Sequence, residues 1–312
     1  MFFDSARPGK EISDLVIDFD PLSFERKPIK KAEALDYFKQ RGERTPYDII
    51  NAIDEVDGIL DSRAVDKLIL LNHTELQRLS EEHCHGQRVL ELLEPLIKSL
   101  RQNGHLERLR VVDIGCGLGY VMRFLGHCQK KGALKDVELI GVDYNQTLVN
   151  EAKKLAAAED LDCRFLIDNA FRLKEPAHIF ISTGFLHHLD RESLRTCFTL
   201  HEGPQTKAFI HFDFQPGLFS IVGSLLFHMA RFRERIARFD GVRSAARGHS
   251  AAHLIQASQN SVNDLKVTLY GRYFICKPIP RAFHTLVGLK NSVRASFEEN
   301  LDSRNQRIDQ WY

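Results

Sequence analysis

The hydrophobic rhythm of the chain changes near residue 105. From Lys30 to Asn103 apolar residues recur at three- and four-residue steps, which predicts helices. The clearest is RVLELLEPLIKSLRQNG, where Val89, Leu92, Leu93, Leu96 and Leu100 share one face. Asn103-Gly104 ends it as a C-cap would, and Pro95 inside the run predicts a kink or a restart. Residues 1 to about 30 are polar and proline-punctuated and read as a loose arm. Beyond residue 105 short apolar runs alternate with amphipathic ones. LRVVDIG, VELIGVD, CRFLID, HIFISTG and KAFIHFDF read as five buried strands; YVMRFLGHCQKKG, TLVNEAKKLAAAE and ESLRTCFTLH read as helices between them. Such alternation predicts an α/β fold with a largely parallel sheet covered on both sides.

After Pro216 comes a long stretch of helical pattern. LKVTLY and RYFICKP then flank Gly271 and predict a terminal antiparallel hairpin, with a polar, helical segment from Arg281 onward. The expected organisation is an arm and helical lid region at 1–104, a ligand-binding α/β domain at 105–280 with a helical insertion at 215–260, and a helical extension at 281–312.

Composition narrows the function classes. With 43 Lys+Arg against 42 Asp+Glu, the 312-residue chain lacks the basic excess of a dedicated nucleic-acid binder. A hydrophobic fraction of 43% supports a sizeable core. Six cysteines with no CxxC pair suggest reduced thiols, hence a cytoplasmic protein. No segment reads as a signal peptide or a membrane span.

The candidate chemistry starts at VVDIGCGLGYV. Gly115, Gly117 and Gly119 follow a strand ending in Asp113, where an open parallel sheet binds its ligands. Glycines there let backbone come close to a ligand. The dinucleotide fingerprint needs a third glycine one residue later, where Tyr120 stands, so a nicotinamide oxidoreductase is disfavoured. A phosphate loop is excluded because no Gly-Lys-Ser/Thr follows.

The phrase D-x-G-x-G-x-G resembles the first motif of class I S-adenosylmethionine-dependent methyltransferases, and further phrases fall in that family's order over roughly residues 108 to 280. The resemblance implies a Rossmann-like, seven-stranded, mostly parallel sheet with a terminal antiparallel hairpin. It implies S-adenosylmethionine as cofactor, with Asp113 near its methionyl ammonium and the three glycines along it. Asp143, ending LIGVD, would accept the ribose hydroxyls, and Tyr144 would pack on adenine. In DNAF either Asp168 or Asn169 would meet the adenine amine. ISTGFLHHL resembles a phrase of small-molecule methyltransferases, and FDGVRSAARGHSAAHLIQA resembles one found in bacterial secondary-metabolite methyltransferases.

The expected activity is methylation of a small, hydrophobic or aromatic metabolite, on oxygen in preference to carbon. The alternative is a non-catalytic cofactor-binding regulator of the same fold. His187, in the loop after the fourth strand, is the candidate general base. No metal is expected, since His83-Cys84-His85 lacks a fourth ligand at zinc-like spacing. The apolar start of LFSIVGSLLFHMARFRERIARF is expected to overhang the acceptor as a lid, and its arginine half to permit peripheral contact with an anionic membrane.

Overall fold

A computed structural model describes residues 9–174, 176–262, 264–272, 283–303 and 305–307. The strands fall close to where the apolar runs place them: β3 (Leu109–Ile114), β4 (Val137–Asp143), β5 (Cys163–Ile167), β6 (Ile179–Thr183) and β7 (Ala208–Phe214). A separate two-stranded ladder, β1 (Glu55–Val56) with β2 (Ile59–Leu60), lies in the N-terminal region. β3 to β7 run parallel, and β8 (Leu265–Arg272), β9 (Phe283–Lys290) and β10 (Asn305–Arg307) extend the sheet antiparallel in the order β10-β8-β9-β7-β6-β3-β4-β5. This is the α/β, Rossmann-like, mostly parallel sheet expected, with β10 added at one edge.

The N-terminal region supplies α1 (Ser13–Val16), α2 (Lys31–Gln40), α3 (Arg44–Asn51), α4 (Ser62–Glu82) and α5 (His85–Gln102). α6 (Tyr120–Lys130), α7 (Gln146–Ala158) and α8 (Arg191–Leu200) are the crossover helices. α9 (Leu218–Arg231), α10 (Arg235–Arg247) and α11 (Ala251–Gln259) form the insertion, and α12 (Asn291–Asn300) follows β9.

Alternation along β3 divides the core. Val111 packs in one cluster with the leucines of α5, with α6, α7 and α12; Val112 packs in the other with α8 and α11. A strand buried on both faces must be apolar at consecutive positions, which is why VVDI looks continuous rather than alternating.

Three expectations need correction. The segment from residue 9 is not a loose arm: Ile12 and Val16 are fully buried and share a cluster with Phe38, Ile69, Leu118, Leu148 and Ile236. α5 runs on through Pro95 rather than restarting there. The antiparallel partner of β8 is β9, so the segment after Arg281 begins as a strand and becomes helical only at Asn291. The apolar pattern of FHTLVGLK is that of a buried strand, and it was obscured by the more conspicuous RYFICKP. Tyr273 to Pro278 of that run lie outside the described residues. Among the described residues no helix is long and apolar enough to cross a membrane.

Candidate active site

The strand order reverses between β3 and β6, and a cavity of about 490 Å³ opens at their carboxyl ends. Ligand sites of doubly wound sheets lie at such a switch point.

All three loop glycines adopt left-handed conformations, with φ of +69° at Gly115, +53° at Gly117 and +70° at Gly119. A Cβ would also collide at each: with the Phe185 ring at Gly115, with His73 at Gly117 and with the Phe165 ring at Gly119. Gly115 and Gly117 line the cavity. Gly119 does not: it begins α6 and seats that helix against β5.

Asp143 ties the second motif to the first. Its Oδ2 accepts the Gly117 N–H at 2.9 Å, and its Oδ1 accepts the Asn145 N–H at 2.9 Å. Burial raises its pKa, and those N–H groups act against that. The cap of α7 is Asn145, whose Oδ1 accepts from Thr147 and Leu148, so Asp143 is not the cap. Asp113 lies under the loop and does not line the cavity. Its buried Oδ1 has no partner, and burial with the nearby Asp143 charge raises its pKa well above the usual range.

Tyr144 is half-exposed at the cavity and meets Phe19 edge-on at 5.3 Å. Asp168 and Asn169 both line the cavity. Asp168 accepts the backbone N–H groups of Asn169 and Lys174, at 2.8 and 3.0 Å, and so closes its own loop. Asn169 Oδ1 accepts from Phe171, while its Nδ2 donates to Pro21 O at 3.1 Å.

At the other end stands His187, buried on a single turn of 3₁₀ helix, Leu186–His188. Its Nδ1 is 2.8 Å from Asp213 Oδ1, its backbone N–H donates to Asp213 Oδ2 at 3.0 Å, and its Nε2 has no partner. Burial alone would lower the pKa of this imidazole, but the charge and hydrogen bond of Asp213, with Glu11 nearby, raise it. Asp213 is held far below the usual carboxylate range: burial opposes this, and His187 with backbone N–H groups outweighs it. His85 also lines this end; burial pushes its pKa down to about 3, so it stays neutral. Phe185, Phe214 and Phe283 add aromatic wall.

The segment 9–24 forms the roof. Asp240 accepts the N–H groups of Ile12 at 2.8 Å and Ser13 at 3.2 Å. Ser244 and Arg247 reach Glu11 Oε1 at 2.9 and 3.1 Å, and Arg247 also pairs with Asp14 at 2.6 Å. The phrase FDGVRSAAR thus serves to dock the N-terminal segment.

The expected lid is not a wall of the site. No residue of α9 lines the cavity, and Leu218, Val222, Leu225, Leu226 and Met229 are 44–74% exposed. The cavity is closed instead by α4, α10 and the N-terminal segment. Sequence reasoning also missed Glu11, His73, His85 and Asp213. For Asp213 a signal existed: HFDF places an aspartate at the end of an apolar strand, as VVD and GVD do.

Residues 111–201 match the family model of a methyltransferase domain. Among curated proteins none is significantly similar in sequence to this chain. Among solved structures, the chain is similar to magnesium protoporphyrin IX methyltransferase of Synechocystis PCC 6803 with bound SAH. That pair has 18% identity and a TM-score of 0.45 over 84% of this chain and 100% of that one. It is also similar to the plantazolicin methyltransferase in complex with SAH, at 10% identity and a TM-score of 0.49, over 73% of this chain and 97% of that one.

Proposed function

We propose that the chain, whose residues 111–201 match the model of a methyltransferase domain, transfers a methyl group from S-adenosylmethionine to an oxygen of a small, hydrophobic metabolite. The observation that carries this reading is the bond between Gly117 N–H and Asp143, which locks both cofactor motifs at the mouth of a cavity whose far end is aromatic.

S-Adenosylmethionine supplies an electrophilic methyl on a sulfonium. Transfer is an in-line displacement, so the protein has to align the acceptor and keep water away. Gly115 and Gly117 give the cofactor close backbone approach. Asp143 spends one lone pair per oxygen on backbone N–H groups and keeps capacity for both ribose hydroxyls. Tyr144 packs on adenine. Asn169 meets the adenine amine, while Asp168, already holding its own loop, shapes the turn. Asp113 and Gly119 act from behind by fixing the loop.

A hydroxyl acceptor loses its proton as the new bond forms, and His187 is the residue placed to promote that loss. The wall of Phe185, Phe214 and Phe283, with Ile69 and Leu76, suits an apolar acceptor. Burial contributes roughly 25 cal/mol per Å² of apolar surface, enough to bind an alkylphenol without a charged anchor. The exposed apolar stripe of α9, with exposed Arg233 and Arg235 beside it, is a surface for resting on an anionic membrane where such an acceptor is stored, Arg231 being paired with Glu82.

Calorimetry with S-adenosylhomocysteine and with NAD tests the cofactor. Labelled S-adenosylmethionine incubated with a host extract tests transfer. Expected are binding of the first ligand alone and label in a small organic-soluble product. Label in nucleic acid or protein, or none at all, would overturn the acceptor class.

A further inference from the structure

We propose that Glu11, His187 and His188 bind a divalent transition-metal ion at the acceptor end of the cavity. This deepens the reading above and rests on it only in placing the acceptor there.

Each of the three residues offers one ligand atom, and these atoms lie within 4.8 Å of one another. Ligands around a tetrahedral zinc ion stand about 3.4 Å apart. A modest inward adjustment of side-chain torsions therefore closes the set.

The free donor atoms are left over by hydrogen bonds that orient their owners. Asp213 occupies Nδ1 of His187, which leaves the buried and unpartnered Nε2 as its donor. Leaving such an atom unsatisfied is costly, so a ligand there is stabilising. On Glu11, Ser244 and Arg247 occupy Oε1. Oε2 keeps only a long contact of 3.4 Å from the Ser13 hydroxyl and lies 3.9 Å from His188 Nδ1. A carboxylate behind a ligating imidazole, and donors behind a ligating carboxylate, are what hold metal ligands in position.

Charge and chemistry agree. Glu11, Asp14, Asp213 and Asp240 surround the gap and are faced by Arg247 and by the His187 ring, whose Nε2 proton a metal ion would displace. A positive ion offsets the excess. Two imidazoles and one carboxylate suit zinc and its first-row neighbours, whereas magnesium and calcium prefer oxygen alone. All three residues line the cavity, so the remaining coordination positions face the acceptor. With its Nε2 on the ion, His187 would no longer take the acceptor's proton itself: the ion would polarise the bound hydroxyl and lower its pKa, so that the proton passes to solvent before methyl transfer.

The test is calorimetric titration of zinc into untagged, chelator-treated full-length protein, with metal analysis after gel filtration. The wild type is expected to bind one equivalent. Half-exposed His188→Ala and the conservative Glu11→Gln should each weaken binding at least tenfold. Cys84→Ser, which removes an exposed thiol, should leave it unchanged. S-Adenosylhomocysteine affinity should be the same in all four proteins. No zinc binding by the wild type, or binding that survives intact in His188→Ala, would overturn the site. Zinc binding without S-adenosylhomocysteine binding would strike the cofactor reading and leave the metal site standing.

Discussion

Asp213 grips His187 twice, through the ring Nδ1 at 2.8 Å and through the backbone N–H at 3.0 Å. The carboxylate thereby sets both the tautomer of the ring and the position of the turn that carries it. Asp213→Asn is expected to lower methyl transfer about 10- to 100-fold, the range for losing an orienting partner. S-Adenosylhomocysteine affinity should stay the same. Equal transfer rates in a folded Asp213→Asn protein would remove this pair from the reaction.

Asp143 bridges two motifs, so its loss should have two effects. Asp143→Ala is expected to weaken cofactor binding about ten- to a hundredfold, as for one charge-assisted hydrogen bond. It should also free the Gly117 N–H, which amide hydrogen exchange at that residue would register as faster exchange. Tight binding in Asp143→Ala would move the ribose contact elsewhere.

The cavity and α9 make separable predictions. Phe283→Ala should weaken binding of the hydrophobic acceptor and leave cofactor affinity intact. Leu225→Ser with Leu226→Ser should change neither affinity, nor stability by more than about 0.5 kcal/mol, because both side chains are already exposed. The double variant should instead lose sedimentation with vesicles containing anionic lipid. Equal vesicle binding by wild type and variant would reject the membrane contact.

His211 is fully buried with Nδ1 2.8 Å from Ser182 Oγ, and burial pushes its pKa down to about 3. In the unfolded chain its value is about 6.5. The unfolded state therefore binds the extra proton first as pH falls. The stability that neutral His211 contributes is complete above about pH 6.5 and declines toward pH 3. Compared with His211→Gln in urea titrations, the wild type should lose about 1.4 kcal/mol per pH unit between pH 6 and 4. Parallel curves for the two proteins would mean that His211 takes up its proton without unfolding.

The parallel sheet was legible because its strands are short, apolar and punctuated by helices of clear period. The loop and strand end proposed to hold the cofactor could be read locally for a related reason: Gly115, Gly117 and Asp143 are close in sequence to the strand ends that present them. The acceptor end was not. Glu11 meets Ser244 across 233 residues, and no local pattern encodes such a contact. The place of α9 was not legible either, because an apolar stripe on a helix fits a buried wall and an exposed surface equally well, and this one is turned to solvent. β9 was not legible because RYFICKP and FHTLVGLK are both rich in β-forming residues, and local pattern does not say which of two such runs pairs with β8.

The roof built from residues 9–24 has a consequence for inheritance. The segment that matches the methyltransferase-domain model, 111–201, contains the proposed cofactor wall and His187. Glu11, His85, Phe214, Ser244 and Phe283, which enclose the acceptor end, all lie outside it. On the proposed function, kinship in the shared segment speaks for the methyl donor more than for the recipient. Two chains alike over those residues are free to serve different compounds through changes in the flanks, although Phe185 and His188 of the acceptor end lie within the shared segment.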